Sequence, residues 1–326
     1  MSRYDRQMKC GAFGTRGQSA LSQAVIMITG LGALGSAAAE QLARAGAGHL
    51  VLCDMDIVEC SNLHRQSCYD EHDASSGALK AEALKHHLLR INSEITVTAV
   101  AEEITSLNIE RLISMYHPVM MIDGTDQFST RFLINQACHR HHIPWIYGAC
   151  LGTKGTVVGI DFTGPCLSCL LSTIPETGED CSIAGILPPV AHMTAAMQCA
   201  EVMNYMAEGR FSNQLLTFNT AVMKFQQTNA AAFADADCPI CVHHQYSALA
   251  APPAAVTKLC GGKFLVRVPV ELFTDSGLSF QRTSPFFKYY QDDDYQLSLF
   301  HDGRVILTGA DNTSSAETTV RQLLYR

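Results

Sequence analysis

The 326-residue chain has 47% hydrophobic residues, 17% charged residues and a formal net charge of −8 at pH 7. This composition is typical of a globular protein with about two domains, and the negative charge argues against non-specific nucleic-acid binding, which needs a basic surface. The opening segment MSRYDRQMKCGAFG lacks the apolar core of a signal peptide, and no run approaches the roughly 20 apolar residues that span a bilayer. We therefore expect a cytoplasmic protein that binds neither nucleic acid nor membrane.

Apolar runs alternate with amphipathic segments through the first half of the chain. The pattern predicts helices at 15–24, 36–47, 78–92, 106–116 and 128–142, and strands at 25–30, 49–56, 94–100, 118–124 and twice within 143–162. The fully apolar strand 25–30, VIMITG, is typical of a buried parallel strand. Strands that alternate with helices predict an α/β fold with a doubly wound, mostly parallel, Rossmann-like sheet.

The pattern changes after residue 163. Residues 164–191 are predicted to form a loop, 192–209 a helix and 217–227 one strand, and residues 251–258, APPAAVTK, have the composition of a linker. The remainder predicts a strand, a hairpin that turns at Asp302 and Gly303, and a final helix. We predict a first domain at 1–250, a linker at 251–258 and a small α+β module at 259–326.

A glycine turn joins the first strand to the first long helix. In the sequence GLGALG, Gly30 and Gly32 permit a tight turn and a close approach of backbone N–H groups to phosphate, and Gly35 lets helix and strand pack closely. Asp54 stands where a dehydrogenase holds the ribose of its cofactor. The turn alone does not decide whether this site binds NAD, binds ATP or binds no ligand.

Polar side chains crowd the stretch after the second strand. Thirteen positions contain Asp54, Asp56, Asn62, Arg65 and Gln66, and Lys80 follows 15 residues after Arg65. Cations beside a nucleotide suit an enzyme that splits ATP between its α- and β-phosphates, because charge builds on the departing pyrophosphate. Asp126 follows the fourth strand, where Mg²⁺ could bridge phosphates. Singly, Asp56 could be a turn residue, Arg65 a surface ion pair and Asp126 a helix N-cap; together they favour ATP.

With these residues the chain resembles the E1-like adenylyltransferases of the ThiF, MoeB and HesA type. These are bacterial activators of ubiquitin-fold sulfur carriers in thiamin and molybdopterin biosynthesis. The resemblance covers about residues 3–245 and rests on RYDRQ, GLGALG, DMD, SNLHRQ, Lys80, GTDQFSTRFLIN and two cysteine pairs. Members commonly have glycine where Ala33 stands, glutamine where His64 stands and proline where Leu79 stands.

The resemblance implies a role for each matching position. It places backbone around Gly30, Gly32 and Ala33 at the phosphates and nucleoside, Asp54 at the ribose with Asp56 and Gln66 nearby, Asn62, Arg65 and Lys80 at the triphosphate, and Asp126 at Mg²⁺. Arg6 is expected to reach into the active site of the neighbouring subunit of a homodimer. The implied partners are a small ubiquitin-fold carrier protein that ends in Gly-Gly and a sulfur donor protein.

Two CxxC pairs and one loop cysteine stand out among the thirteen cysteines. Cys166 with Cys169, and Cys238 with Cys241, offer the four thiolates of a closed structural Zn²⁺ site, which family members also carry; unrelated core cysteines or a redox pair are the alternatives. Cys181 lies in the polar loop GEDCSIAG and is a candidate nucleophile. In some relatives such a cysteine takes part in thioester or persulfide chemistry, and in others it is dispensable for adenylation.

The leading hypothesis is an ATP-dependent adenylyltransferase that converts the C-terminal glycine carboxylate of a carrier into an acyl-adenylate, for later thiocarboxylate formation. One alternative is adenylation of a ribosomal peptide or another carboxylate or amide. Another is an inactive, carrier-binding subunit. A dehydrogenase is disfavoured because no hydride-transfer base is placed convincingly. Cys53, Cys138 and Cys199 lie in apolar surroundings and are expected to be core residues.

Overall fold

The main sheet begins with a buried strand that pairs on both of its sides. The computed structural model describes residues 3–172, 185–259, 261–284 and 286–325. The strands of the main sheet are β1 Val25–Thr29, β2 His49–Cys53, β3 Thr96–Val100, β4 Met120–Asp123, β5 Trp145–Leu151, β6 Lys154–Ile160, β7 Gln214–Asn219 and β8 Lys224–Asn229. Their order across the sheet is β3-β2-β1-β4-β5-β6-β7-β8.

Helices connect these strands. In chain order they are α1 Asp5–Met8, α2 Gly14–Gln23, α3 Ala33–Ala45, α4 Glu71–Ser76, α5 Lys80–Ile91, α6 Ile109–Tyr116, α7 Phe128–His141, α8 Leu167–Ser172, α9 Pro188–Glu208 and α10 Ser247–Ala250. Short 3₁₀ helices occupy Cys60–Asn62 and Ala230–Phe233. Across the described ranges, no helix has the length and apolar character needed to cross a bilayer.

The sheet is α/β and doubly wound, as the sequence predicts. The pairings from β3 to β5 are parallel, and β6, β7 and β8 add three antiparallel pairings at one edge. Because side chains alternate along a strand, Ile26 and Ile28 pack into one core with α3, α5 and α9, whereas Met27 packs into a second core with α6 and α7. Cys53, Cys138 and Cys199 are buried in these cores, and burial raises the pKa of each thiol.

Two predictions along this part of the chain are wrong. The single strand predicted at 217–227 is a hairpin of β7 and β8. Its turn lacks glycine and proline, but the Asn219 side chain accepts a hydrogen bond from the Ala221 N–H, an Asx turn that breaks the strand. The predicted loop at 164–191 contains α8 and the start of α9, whose first turn contains proline.

The chain divides into two compact units, Met1–Pro252 and Pro253–Arg326. The smaller unit contains the strands β9 Val256–Lys258, β10 Lys263–Arg267, β11 Arg282–Thr283, β12 Phe287–Gln291, β13 Gln296–Phe300 and β14 Arg304–Thr308, and the helices α11 Leu272–Asp275 and α12 Thr313–Leu324. Its strands form one antiparallel sheet in the order β11-β12-β13-β14-β10-β9, against which α12 packs. The β13–β14 hairpin and α12 match the predicted elements, whereas β9 lies inside the segment predicted as a linker.

Candidate active site

The predicted nucleotide residues follow three neighbouring parallel strands. In the sheet register Thr29 of β1 stands beside Cys53 of β2 and Asp123 of β4. The ladder extends past the strands, because the N–H of Gly30 donates to Cys53 O at 2.8 Å and that of Gly124 donates to Thr29 O at 2.8 Å. The glycine turn and the loops that begin at residues 54 and 124 therefore meet at one edge of the sheet, where ligands of such folds bind.

At two positions of the glycine turn, a side chain would clash with neighbouring backbone atoms. Gly30 has a φ of +80°, and a Cβ there would lie 2.8 Å from the backbone of Gly124; a Cβ on Gly35 would lie 1.9 Å from Gly30 O. Gly32 is the N-cap of α3 and offers no side-chain cap. The leading N–H groups of this 13-residue helix are therefore open to an anion, which the helix dipole also favours.

Asp54 braces the glycine turn. Its Oδ2 accepts from the N–H of Leu31 at 2.6 Å and its Oδ1 from the N–H of Asp56 at 2.7 Å. Burial raises the pKa of the Asp54 carboxyl, against the lowering effect of Lys80. A carboxylate oxygen has two lone pairs, so each of the two Asp54 oxygens still has one lone pair that can accept a hydrogen bond from a ribose hydroxyl. The bracing role is one that reasoning from the sequence missed.

Lys80 is a buried cation at this edge of the sheet. Its side chain is 7% exposed, and Nζ donates to Asp56 Oδ2 at 2.9 Å. The backbone supports the pair, since the Lys80 N–H donates to Asp56 O at 2.9 Å. Burial lowers the pKa of Lys80, but the negative charges of Asp56 and Asp54 outweigh it and hold the pKa above its usual value. The ammonium group is thus charged and held in one place. Asp56 is therefore more than a turn residue.

Residues 60–70, which we call the strap, lie against the glycine turn. Tyr69 Oη donates to Leu31 O at 2.8 Å. Gln66 is buried beside Gly32, and its Oε1 has no hydrogen-bond partner among the described residues. Arg65 is half-buried, and its Nη1 donates to Ser61 O at 3.1 Å. Within the described ranges Arg65 forms no ion pair with a carboxylate.

Asn62 ends the short 3₁₀ helix of the strap. Its carbonyl oxygen accepts from the N–H groups of Arg65 and Gln66 at 3.1 and 3.0 Å. Its half-buried side chain donates weakly to Ser61 Oγ at 3.4 Å. The strap thus brings two of the predicted triphosphate residues, Asn62 and Arg65, together with the predicted nucleotide residue Gln66, into one short segment.

The end of β4 and the loop that follows it contain one buried and one exposed carboxylate. Asp126 is exposed and is not a helix cap, because the N-cap of α7 is Gln127. Asp123 is fully buried and accepts from Arg131 Nε at 3.1 Å and from Thr125 Oγ1 at 2.6 Å. Burial raises the pKa of Asp123, whereas Arg131 and Thr125 lower it. Sequence reasoning missed this buried pair, although both residues lie in segments that it singled out.

Two further predicted site residues, Arg6 and Cys181, are not tested by the geometry of this edge. Arg6 is exposed on α1, which precedes the main sheet; its entry into a neighbouring subunit stays a prediction. Cys181 lies outside the described residues.

The four cysteines of the two CxxC pairs come together. Their sulfur atoms all lie within 4.8 Å of one another, with Cys166 to Cys238 at 3.8 Å and Cys169 to Cys241 at 3.7 Å. A tetrahedral Zn²⁺ with bonds of about 2.3 Å requires sulfur atoms about 3.8 Å apart. The hydrogen bond between the two thiols lowers the pKa of Cys166 and raises that of Cys241. The cluster therefore fits Zn²⁺.

Comparison with known proteins places the chain in a family. Residues 4–240 match the ThiF family. The chain belongs to the ThiF family. This ThiF-family chain is 31% identical over 328 residues to the sulfur carrier protein ThiS adenylyltransferase of Bacillus subtilis, covering 97% of each chain. It is also 31% identical over 249 residues to the SAMP-activating enzyme E1 of Haloferax volcanii, covering 74% of this chain and 88% of that one.

Solved structures show the same fold. E. coli MccB, in a crystal structure with MccA-N7isoASN, matches with a TM-score of 0.63 and 23% identity, covering 74% of this chain and 75% of that one. At this identity the likeness concerns the fold alone. The family confirms the predicted resemblance to E1-like adenylyltransferases.

Proposed function

We propose that the protein is an ATP-dependent adenylyltransferase that activates the C-terminal carboxylate of a small ubiquitin-fold sulfur carrier protein. The observation that carries the proposal is the buried, charged Lys80 beside a glycine turn that can take phosphate. The similarity along 97% of the chain to a sulfur carrier protein ThiS adenylyltransferase supports the same activity and substrate class.

The proposed reaction is the attack of a carboxylate on ATP. A carboxylate oxygen of the carrier's terminal glycine forms a bond to the α-phosphorus, and the bond from that phosphorus to the bridging oxygen breaks, which releases pyrophosphate. The nucleophile is already ionised at neutral pH, so no general base is needed. Catalysis then rests on alignment and on positive charge where the pyrophosphate departs.

Residues of the sheet edge divide this work. Lys80 supplies a fixed positive charge, and Arg65 and Asn62 on the strap supply further donors to the triphosphate. The N–H groups around Gly32 and Ala33 at the start of α3 bind phosphate oxygens. Asp54 accepts ribose hydroxyls while it braces the turn through Leu31.

Two metal ions complete the proposal. Mg²⁺ favours carboxylate oxygen and keeps several waters, and the exposed carboxylate of Asp126 at the sheet edge fits such a ligand. Bound there with ATP, Mg²⁺ would neutralise phosphate charge. Zn²⁺ in the cluster of Cys166, Cys169, Cys238 and Cys241 would be structural, because four thiolates leave no open position.

The proposed assembly is a cytoplasmic homodimer that receives sulfur from a separate donor protein. Arg6 is exposed and is therefore available to enter the active site of a neighbouring copy. The carrier is expected to end in Gly-Gly, as the sequence resemblance implies. Cys181 is proposed to act after adenylation, in transfer of the activated carrier.

ATP–pyrophosphate exchange tests the proposal. We expect exchange only when a ubiquitin-fold carrier ending in Gly-Gly is added, and a loss on the order of 10²-fold or more in Arg65→Ala and Asp126→Ala. Arg140→Ala is the matched control, because this arginine is exposed on α7 and pairs with Glu110 away from the sheet edge.

Exchange that both site variants leave unchanged would refute the assigned site. Exchange that depends on a ribosomal peptide instead of a carrier would support the alternative substrate. Carrier binding without ATP binding, measured by calorimetry, would favour the inactive subunit.

A further inference from the structure

A second group of metal-ligand side chains lies outside the nucleotide loops and the cysteine cluster. Glu40 of α3, Cys68 of the strap and His87 of α5 each bring one ligand atom within 4.8 Å of the others. Cys68 is buried, and its Sγ lies 3.4 Å from Glu40 Oε2 and 3.4 Å from Ser36 O. Three separate elements thus converge on one point.

The imidazole ring of His87 has a buried nitrogen atom that lacks a hydrogen-bond partner among the described residues. This atom is Nε2. A buried ring nitrogen without a partner is costly, and bound metal is one of the few groups that satisfy it. The preceding residue, His86, is exposed on the same helix and has no such constraint.

We propose that Glu40, Cys68 and His87 bind a transition-metal ion of the Zn²⁺ type. A thiolate, an imidazole and a carboxylate are zinc ligands, and three of them leave a fourth position for water. With bonds of about 2.3 Å to sulfur and about 2.0 Å to oxygen, tetrahedral geometry requires a separation of about 3.5 Å, close to the 3.4 Å between Cys68 Sγ and Glu40 Oε2. Binding releases the thiol proton to solvent.

Arg44 sets the strength of this site. Its Nη2 and Nε donate to Glu40 Oε1 at 2.6 and 2.9 Å, which leaves Oε2 to face Cys68. Glu40 therefore serves as a ligand through one oxygen, and the adjacent positive charge weakens its hold on a cation. We expect a reversible site that is weaker than the cluster of four cysteines.

The metal would tie the strap to two helices of the sheet. Cys68 stands next to Tyr69, whose hydroxyl donates to Leu31 O at the glycine turn. Ser67, on its other side, makes a hydrogen bond of 3.1 Å with His192 of α9. If the strap binds triphosphate, which rests on the proposed function, occupancy of this site stiffens the element that carries Arg65.

A neighbouring acidic group has a simpler explanation. Asp70, His72 and Asp73 also lie close together, but Asp70 and Asp73 form the capping box at the start of α4. Exposed carboxylates that cap a helix carry no metal proposal.

Metal content tests the inference on the full-length protein. The chain is stripped with a chelator and dialysed against buffer that contains a fixed concentration of free Zn²⁺, and the protein-bound zinc is measured by elemental mass spectrometry of both sides of the membrane. We expect wild type and His86→Gln to hold one more zinc ion per chain than His87→Gln. In a zinc titration, the Kd of the weaker site should rise by about 100-fold or more in His87→Gln. Loss of a residue that only hydrogen-bonds to a metal ligand already lowers metal affinity by about 10–100-fold.

Cobalt identifies the sulfur ligand. When Co²⁺ is added to protein that retains its tightly bound zinc, we expect a thiolate-to-cobalt absorption band in wild type that Cys68→Ser lacks and Cys60→Ser keeps. Unfolding temperatures in chelator show whether each variant folds; His87→Gln, whose residue is half-buried, keeps the test decisive if Cys68→Ser unfolds. Equal zinc content in wild type and His87→Gln would overturn the inference. Neither readout uses adenylation, so a failure here is separate from a failure of the proposed function.

Discussion

Removal of the buried Arg131 tests how the loop of Asp126 is held. Arg131 is 4% exposed, and its guanidinium donates to Asp123 Oδ2 at 3.1 Å, to Thr125 O at 2.6 Å and to Gly148 O at 3.2 Å. In Arg131→Met these bonds are lost, and Asp123 keeps a charge in an apolar setting. Breaking a buried pair on one side costs about 3–5 kcal/mol. We expect a loss of about 4 kcal/mol in the free energy of unfolding at pH 8.

Tryptophan fluorescence during urea unfolding is the appropriate assay. Trp145, the single tryptophan of the chain, is fully buried in β5 beside β4, so its signal reports the larger unit. Arg140→Met is the matched control. Arg140 is on the same helix, but its ion pair with Glu110 is about half exposed, and such pairs contribute about 0–1 kcal/mol.

The pH dependence gives the sign of the effect. Burial already raises the pKa of Asp123 in the folded protein, and loss of the Arg131 charge raises it further. An acid whose folded pKa exceeds its unfolded value binds more protons when folded, so stability increases as the pH falls through the folded pKa towards the unfolded one near 3.9. The deficit of Arg131→Met should therefore shrink between pH 8 and pH 5, by up to about 1.4 kcal/mol per pH unit.

A second substitution separates charge from shape. Asp123→Asn combined with Arg131→Met removes the unpaired charge and keeps the side-chain volume, so the double variant should be more stable than Arg131→Met at pH 8. The reasoning is refuted if Arg131→Met loses no more stability than Arg140→Met, or if its deficit does not change with pH.

Three further predictions concern the turn, the cation and the zinc cluster. Lys80→Met should lower pyrophosphate exchange on the order of 10²–10³-fold with little change for Lys85→Met, which removes a partly exposed lysine from the same helix; equal rates would contradict the assignment. Gly35→Ala places a Cβ 1.9 Å from Gly30 O, so ATP affinity by calorimetry and the unfolding temperature should both fall; an unchanged protein would show that the turn adapts. Cys166→Ser should lose its zinc ion by elemental analysis and unfold at a lower temperature, whereas Cys10→Ser, at an exposed cysteine, should retain both.

The sequence predicts the parallel part of the sheet because its strands are apolar and its helices are amphipathic. The sequence also predicts that the polar residues after β1, β2 and β4 lie at one edge of the sheet, since adjacent parallel strands end together. It does not reveal that Asp54 braces the turn, because that role depends on the N–H of Leu31, and any residue other than proline has such a group. Nor does it reveal the pair of Asp123 and Arg131, since an Asp and an Arg eight residues apart are common on exposed helices and loops.

Other differences arise where side chains replace glycine or proline as turn signals. The β7–β8 hairpin turns on the side chain of Asn219. No helix is predicted at α4, whose start is fixed by the capping box of Asp70 and Asp73. The cluster of Glu40, Cys68 and His87 spans 48 positions of the chain, with no spacing that would identify it. It follows from the packing of α3 against α5, which becomes visible only once the fold is known.

The charges at the sheet edge explain why the proposed chemistry requires a metal ion. Lys80 supplies a positive charge that is fixed in place, but the carboxylate of Asp56 balances that charge in the sum over the sheet edge. Arg65 contributes one positive charge that forms no ion pair with any described residue, and the exposed Asp126 brings one negative charge to the same edge. The loops therefore carry too little net positive charge to neutralise a triphosphate by themselves. Mg²⁺ on Asp126 would turn that carboxylate into a ligand, so that Arg65 and the N–H groups of α3 act on the phosphates without opposition.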